Sequence, residues 1–315
     1  MANDSLVRKI FSFSPYVELI GRYLYWKNVD ILESRAKKSS KQAVSDNPVD
    51  FDKIISCLKD NGVGEGDLLL VHSAYSPLKN SGLSPREVNN ELCSLIGDSG
   101  TIAMPAMPKF KNEETKIDYL SSIVPDETYE YDVRRTPIKT GLLPAYLHRN
   151  KKSVRSRHPI NTMVAMGPLA HYLMEDNLSG DSPLPCGYSS SWSKCVENDA
   201  IIISIGTDLT HSLTAIHVVE DRMDTDWPIR NWYRTKKFVV TDGEFTKEVT
   251  LRERRPKWGA LHFAERTLCK DLLNEGLLSS TKIDGVLVEV IRAKALIQFL
   301  ESRNRTGYPY YGVKL

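Results

Sequence analysis

The sequence predicts an α/β fold in which helices cover a sheet. Three observations predict it. DLLLVHSAY (67–75), GTIAMPAM (100–107) and AIIISIG (200–206) are short apolar runs without alternation, the pattern of strands buried on both faces. The segments before the first of these and between the first two have helical apolar spacing, giving helix, strand, helix, strand. A chain of 315 residues is long enough to bury the core such a sheet needs.

The elements follow in order. FSFSPYVELIGRYLYW (11–26) is aromatic and roughly amphipathic and carries Glu18 and Arg22. It is expected to pack on the main domain or a second subunit rather than on a membrane surface. RAKKSSKQ (35–42) is basic and polar, as suits a linker or an exposed helix end. Residues 1–47 thus read as an N-terminal extension and linker, with the main domain over 48–315. FDKIISCLKDNGV (51–63) is a helix stopping at Gly62, and the first strand follows. SPREVNNELCSLIG (84–97) is a helix with Ser84 as N-cap and Pro85 at the first helical position. The second strand ends at Pro105. Residues 108–135 are irregular and rich in Asp, Glu and Tyr, too long for a simple connection and therefore expected to be functional or a lid.

TPIKTGLLPAYLHR (136–149) reads as a helix broken at Pro144, and MVAMGPLAHYLME (163–175) as a strand passing into a helix. After the 200–206 strand, SLTAIHVVEDRM (212–223) reads as a helix from Ser212. KKFVVTDGEFTKEVTLRE (236–253) holds a D-G turn between two alternating runs, a hairpin signal. A helix (259–275), a strand around Gly285–Ile291 and a helix (292–302) complete the chain.

Composition narrows the function. Hydrophobic residues make up 41% and charged residues 26%, and the formal net charge is +2. No dense basic face points to nucleic acid. Cys57, Cys93, Cys186, Cys195 and Cys269 are scattered without a C-x-x-C pair, so reduced thiols in a cytoplasmic protein are expected rather than disulfides or structural zinc. No secretory signal pattern opens the chain, and no apolar run is long enough for a membrane span.

Three stretches carry candidate chemistry. In LTAIHVVED (213–221), Thr214, His217 and Glu220 fall on one side of a helix, beyond the C-terminal end of a buried strand where α/β sheets bind ligands. A histidine there can take up a proton near neutral pH, with the carboxylate fixing its tautomer. The bland alternative is an ordinary polar pair. Di-iron bundles use the reverse order, Glu-x-x-His, from two helices; no second motif exists, and no metal is expected. In RNKKSVRSRHP, Arg149, Lys151, Lys152, Arg155 and Arg157 place five cations within nine residues, fitting phosphate or a solvated basic loop. His158, held extended before Pro159, is a fixed donor or a packed residue. Cys186 in PLPCGYSSSW could form a thioester with His217 as base, or be an idle buried cysteine. VHSAYS (71–76) ends a strand in small hydroxyl residues, suiting a ligand-facing loop or a plain turn.

Taken together, LLLVHSAYSPL, GTIAMPAM, DVRRTPIKTGLLPAYLHRNKKSVRSRHPINTMVAMGPLA, SPLPCGYSSSWSKCVENDAIIISIG and LTAIHVVE resemble the aminoglycoside 3-N-acetyltransferase family over roughly residues 48–300. The resemblance implies a central mixed β-sheet flanked by helices, distinct from the GNAT acetyltransferases. It implies acetyl-CoA or another short acyl-CoA as donor, an amine as acceptor and no metal. His217 would be the general base, Glu220 its partner, and Thr214 a stabiliser of the oxyanion or a holder of the site. The loop of His72, Ser73, Ala74 and Tyr75 would contact the pantetheine arm, and Arg155, Ser156 and His158 would lie near the CoA phosphates. Resistance enzymes for polycationic aminoglycosides are expected to be strongly acidic, whereas this chain is slightly basic. The acceptor expected here is therefore the amine of an amino sugar, including nucleotide-linked ones, with an antibiotic aminoglycoside as the alternative. A homodimer is left open.

Overall fold

The computed structural model describes residues 13–28, 47–112, 126–305 and 307–314. The basic 35–42 segment and the 113–125 part of the acidic loop lie outside them. A seven-stranded sheet runs β4 (Val154–Arg155), β5 (Met163–Met166), β2 (Thr101–Pro105), β1 (Leu68–Ser73), β6 (Ile201–Ile205), β10 (Val286–Arg292), β9 (Leu278–Ile283). Its three central strands are parallel, since β1 pairs in parallel with β2 and β6. The flanking pairs are antiparallel, so the sheet is mixed.

Alternation along the strands sorts side chains between two cores. Leu68 and Leu70 face one apolar cluster, with Trp192, Ile202 and Leu296. Leu69 and Val71 face the other, against Ile54, Leu58, Val88 and Leu92 of the Phe51–Asp60 and Pro85–Ile96 helices. The second helix begins as expected: Ser84 accepts from the Glu87 backbone N–H and Glu87 returns a bond to Ser84 N, satisfying two donors that a helix start otherwise leaves open. Close contact between loops demands glycine at 206. Gly206 sits at φ +75°, and a Cβ there would lie 2.5 Å from the Ala74 carbonyl oxygen, which no side chain tolerates.

A separate three-stranded sheet runs β3 (Thr128–Asp132), β7 (Tyr233–Asp242), β8 (Phe245–Arg254). The last two form the expected hairpin, with Asp242 opposite Phe245 and Gly243 at φ +64° opening the two-residue loop. Short β11 (Gly307–Tyr308) and β12 (Val313–Lys314) pair near the C-terminus.

Four sequence expectations need correction. The 136–149 segment is helical only over Leu142–His148, and Pro144 does not break it. It stands in the first turn, where its missing N–H has no intrahelical partner to lose. The 259–275 segment is two helices, Pro256–Leu261 and Glu265–Asn274. β3 and β9 were not expected: β3 is partly exposed and β9 is a polar edge, so neither shows an apolar run.

The fourth concerns the Pro15–Lys27 helix, which does pack on the main domain but by its charged face. Glu18 is fully buried and accepts from the backbone N–H groups of Arg266 and Thr267 and from the Thr267 hydroxyl, at 2.8–2.9 Å. It caps the Glu265–Asn274 helix from another part of the chain. Arg22 reaches Glu265 at 2.6 Å. Phe13, Ile20, Tyr23 and Leu24 point outward instead.

Candidate active site

The parallel centre of the sheet decides where the site lies. The loops leaving the C-terminal ends of β1, β2 and β6 meet there. Glu289 on β10 pins the loop after β6, accepting from Leu209 N at 2.7 Å, while Ser280 donates to its other oxygen. The loop then makes a 3₁₀ turn, Thr214–Ile216, and only afterwards the α-helix His217–Met223. The expected helix start at Ser212 is therefore too early. The tight turn nevertheless stacks residues three apart, so Thr214 and His217 line the same cavity of about 280 Å³, together with Glu220. A second cavity of about 300 Å³ is lined by His72, Ser73, Pro105, Met107 and Thr140. Ser212 and Thr214 line both and so stand between them.

His217 Nδ1 lies 3.0 Å from Glu220 Oε2, and the hydroxyl of Tyr311 donates to Glu220 Oε1. A carboxylate on Nδ1 fixes the proton there in the neutral ring and leaves Nε2 as the basic nitrogen. Burial, then the Arg254 cation, holds the His217 pKa below its ordinary 6.5, with Glu220 opposing both. The ring is therefore neutral at pH 7, the form that accepts a proton. Glu253, Glu265 and Asp221 add carboxylates to the same cavity. Two of these already hold cations of this chain: Arg22 on Glu265, and Arg234 and Lys236 on Glu253.

An aminoglycoside 3-N-acetyltransferase family model matches residues 70–304. The chain belongs to this family. Aminoglycoside N(3)-acetyltransferase III of Serratia marcescens is 28% identical over 270 residues, 82% of this chain and 88% of that one. Aminoglycoside N(3)-acetyltransferase IX of Micromonospora chalcea is 24% identical over 201 residues, 62% of this chain and 67% of that one. The solved structure of AAC-IIIb, binary with CoASH, superposes with a TM-score of 0.59 at 20% identity, covering 79% of this chain and 95% of that chain.

Membership makes this chain an N-acyltransferase by class. The fold is the mixed α/β sheet that the resemblance implied. Among the described residues, no helix is long and apolar enough to cross a membrane, and no cluster of His, Cys, Asp and Glu is arranged for a metal ion.

The residues singled out from the sequence separate into two groups in this family member. Thr214, His217, Glu220, His72 and Ser73 line the two cavities. Ala74 and Tyr75 do not: the Ala74 N–H is spent on Ile205 O and the Tyr75 hydroxyl on Leu83 O. Arg155, Ser156 and His158 are buried. Arg155 donates to the carbonyls of Val133, Thr136 and Ala106. Ser156 joins Asn177 and His158 N, and the His158 ring bridges Ile160 and Pro183 O. Ser156 and His158 brace the stretch leading to Ile160, which lines the His217 cavity, and Arg155 also lines a separate cavity of about 780 Å³ with Arg134, His148, Arg157 and Lys247.

Cys186 is also buried, and its pKa is raised well above the thiol range by desolvation first and by Asp221 second. It stays a thiol, a poor nucleophile. Tyr311, Arg254, Glu253 and Glu265 escaped sequence reading, because each reaches the site through space from an element without a motif.

Asp221 gives a pH-dependent prediction. It accepts from Cys186 N at 2.8 Å and from the Tyr233 hydroxyl at 2.9 Å. Burial, then the neighbouring Glu220 charge, raises its pKa from 3.8 to about 7. Because the folded state holds this proton more tightly, the stability it contributes is full at low pH and is lost as pH rises from 3.8 towards 7. Asp221→Asn, which copies the protonated acid, should gain on the wild type by on the order of 2 kcal/mol between about pH 5 and about pH 8. Equilibrium denaturation at the two pH values checks this; a pH-independent difference contradicts it.

Proposed function

We propose that this chain transfers an acetyl group from acetyl-CoA to an amine of an aminoglycoside, with His217 as general base. The observation that carries the reading is the His217–Glu220 pair in a carboxylate-lined cavity that meets a second cavity at Thr214. An amine acceptor is protonated at neutral pH and attracted by that lining. The ammonium first gives up one proton to water; the neutral amine then attacks the acyl carbon, and its second proton passes to His217 Nε2. The N–C bond forms, the C–S bond breaks, and the thiolate leaves. Thr214, at the junction, would turn its hydroxyl from Ser212 O to the oxyanion that develops between these events.

The second cavity suits the donor. His72 Nε2 is buried without a hydrogen-bond partner, and burial lowers the ring's pKa to about 4, so it is a neutral imidazole awaiting a polar group. The pantetheine arm, which carries two amides, supplies one. His72, Ser73 and Thr140 would hold it, and acetyl-CoA brings the activated thioester.

A second reading follows from the charge compensation by Arg22, Arg234 and Lys236. These cations lower the negative field of the cavity and favour an acceptor with fewer positive charges, such as a nucleotide-linked amino sugar. Mass spectrometry of reactions with acetyl-CoA and a panel of both compound classes separates the two. The expected result is mono-acetylation of aminoglycosides; acetylation confined to nucleotide-linked amino sugars overturns the first reading in favour of the second.

A further inference from the structure

The family match ends at residue 304, yet the segment after it reaches the centre of the site. The chain runs from the Ala293–Asn304 helix into β11, a 3₁₀ turn over Pro309–Tyr311, and β12. The Ala264 N–H donates to Tyr310 O at 2.8 Å, and the Tyr310 hydroxyl donates to Asp271 at 2.7 Å. These bonds lock the turn to the Glu265–Asn274 helix. Tyr311 then enters an aromatic nest of Trp227, Trp232 and Phe263, with ring centroids 4.8–5.9 Å away. The nest leaves its hydroxyl one destination, Glu220 Oε1, and Glu220 is 2% exposed. Both oxygens of the carboxylate are thereby committed, one to His217 and one to Tyr311.

We infer that Tyr311 is a positioning residue for the transfer reaction, its hydroxyl fixing the Glu220 carboxylate that orients His217. The inference rests on the proposed role of His217. A buried carboxylate held at a single oxygen could rotate about its last torsion, which is a broad, soft one. Donation from Tyr311 stops that rotation. It also draws negative charge away from the oxygen that faces His217, so Tyr311 sets how strongly Glu220 supports a proton on the imidazole. The other charged groups acting on His217 are Arg254 from β8 and Glu265 from the start of the Glu265–Asn274 helix, with Asp221 and Tyr233 adjoining the carboxylate. None of them touches Glu220 Oε1 in the way Tyr311 does.

The test uses the full chain and two readouts. Tyr311→Phe removes the hydroxyl and keeps the ring in its nest. NMR titration of the His217 imidazole needs no substrate. Losing the hydroxyl should raise the His217 pKa by about half a pH unit or more, because the carboxylate charge is less compensated. Tyr310→Phe, which removes the Asp271 bond on the same turn, should leave it in place. In a Glu220→Gln background, Tyr311→Phe should add no further change, since the two act as one unit.

With an acceptor that is turned over, kcat should fall about tenfold with both KM values within about twofold. An unmoved His217 titration, an equal shift in Tyr310→Phe, or full additivity with Glu220→Gln overturns the inference. Failure of the proposed function would instead appear as undiminished turnover in His217→Ala, so the two failures are separable.

Discussion

His217→Ala is expected to lower kcat by about 10²–10⁴-fold while acetyl-CoA binds as before. The range is what a positioned general base contributes. Donor binding should survive because the cavity assigned to the pantetheine arm is lined by His72, Ser73, Pro105 and Thr140, and its floor is set by β1 and β2. His217 lines only the other cavity. The pH profile follows from the same geometry. Burial and Arg254 hold the His217 pKa below 6.5, so the base form is populated at neutrality. The acid limb of kcat/KM in the wild type should lie below about pH 6.5 and vanish from the residual activity of the variant. Isothermal titration with acetyl-CoA and steady-state kinetics check the two halves. An unchanged kcat removes His217 from the reaction; a lost donor affinity would mean the two cavities do not divide the substrates as proposed.

How much of this was legible beforehand depends on the range of the signal. Apolar runs announced β1, β2 and β6 because strands buried on both faces leave no polar alternation. Ser84, Pro85 and Glu87 announced a helix start because capping is settled within one turn. The Asp242–Gly243 hairpin was equally local. Thr214, His217 and Glu220 were found through their spacing, although a 3₁₀ turn rather than a continuous helix joins the first two.

The failures share a different cause. Glu18 looked like the polar side of an amphipathic helix, yet it is the buried side, because the open N–H groups of a helix some 250 positions away outbid solvent for it. Tyr311 sits in a run of tyrosines with no periodicity to mark which hydroxyl matters. Arg155 was read as part of a basic loop because charge is visible in sequence and burial is not. In each case the deciding partner is distant along the chain.

That last case yields the other large effect. Arg155 is 4% exposed and lies over the Tyr131 ring. Its guanidinium donates to Thr136 O at 2.7 Å, Ala106 O at 2.8 Å and Val133 O at 3.3 Å. The three carbonyls belong to the end of β2 and to the turn after β3, so one side chain ties the large sheet to the small one. Arg155→Ala leaves these acceptors unpaired in the interior and should destabilise the fold by about 3 kcal/mol or more.

Arg155→Lys keeps the charge but loses the planar fork, and should recover less than half of that. If instead the residue served the phosphates of the donor, both variants would raise the acetyl-CoA KM while leaving stability nearly untouched. Denaturant unfolding, with kinetics at a temperature where each variant remains folded, distinguishes the outcomes. The bonds to three carbonyls predict the first. With three of its donor bonds directed to interior carbonyls, and Nε alone of its nitrogens without a partner, Arg155 should show the stability loss without a change in KM beyond about twofold.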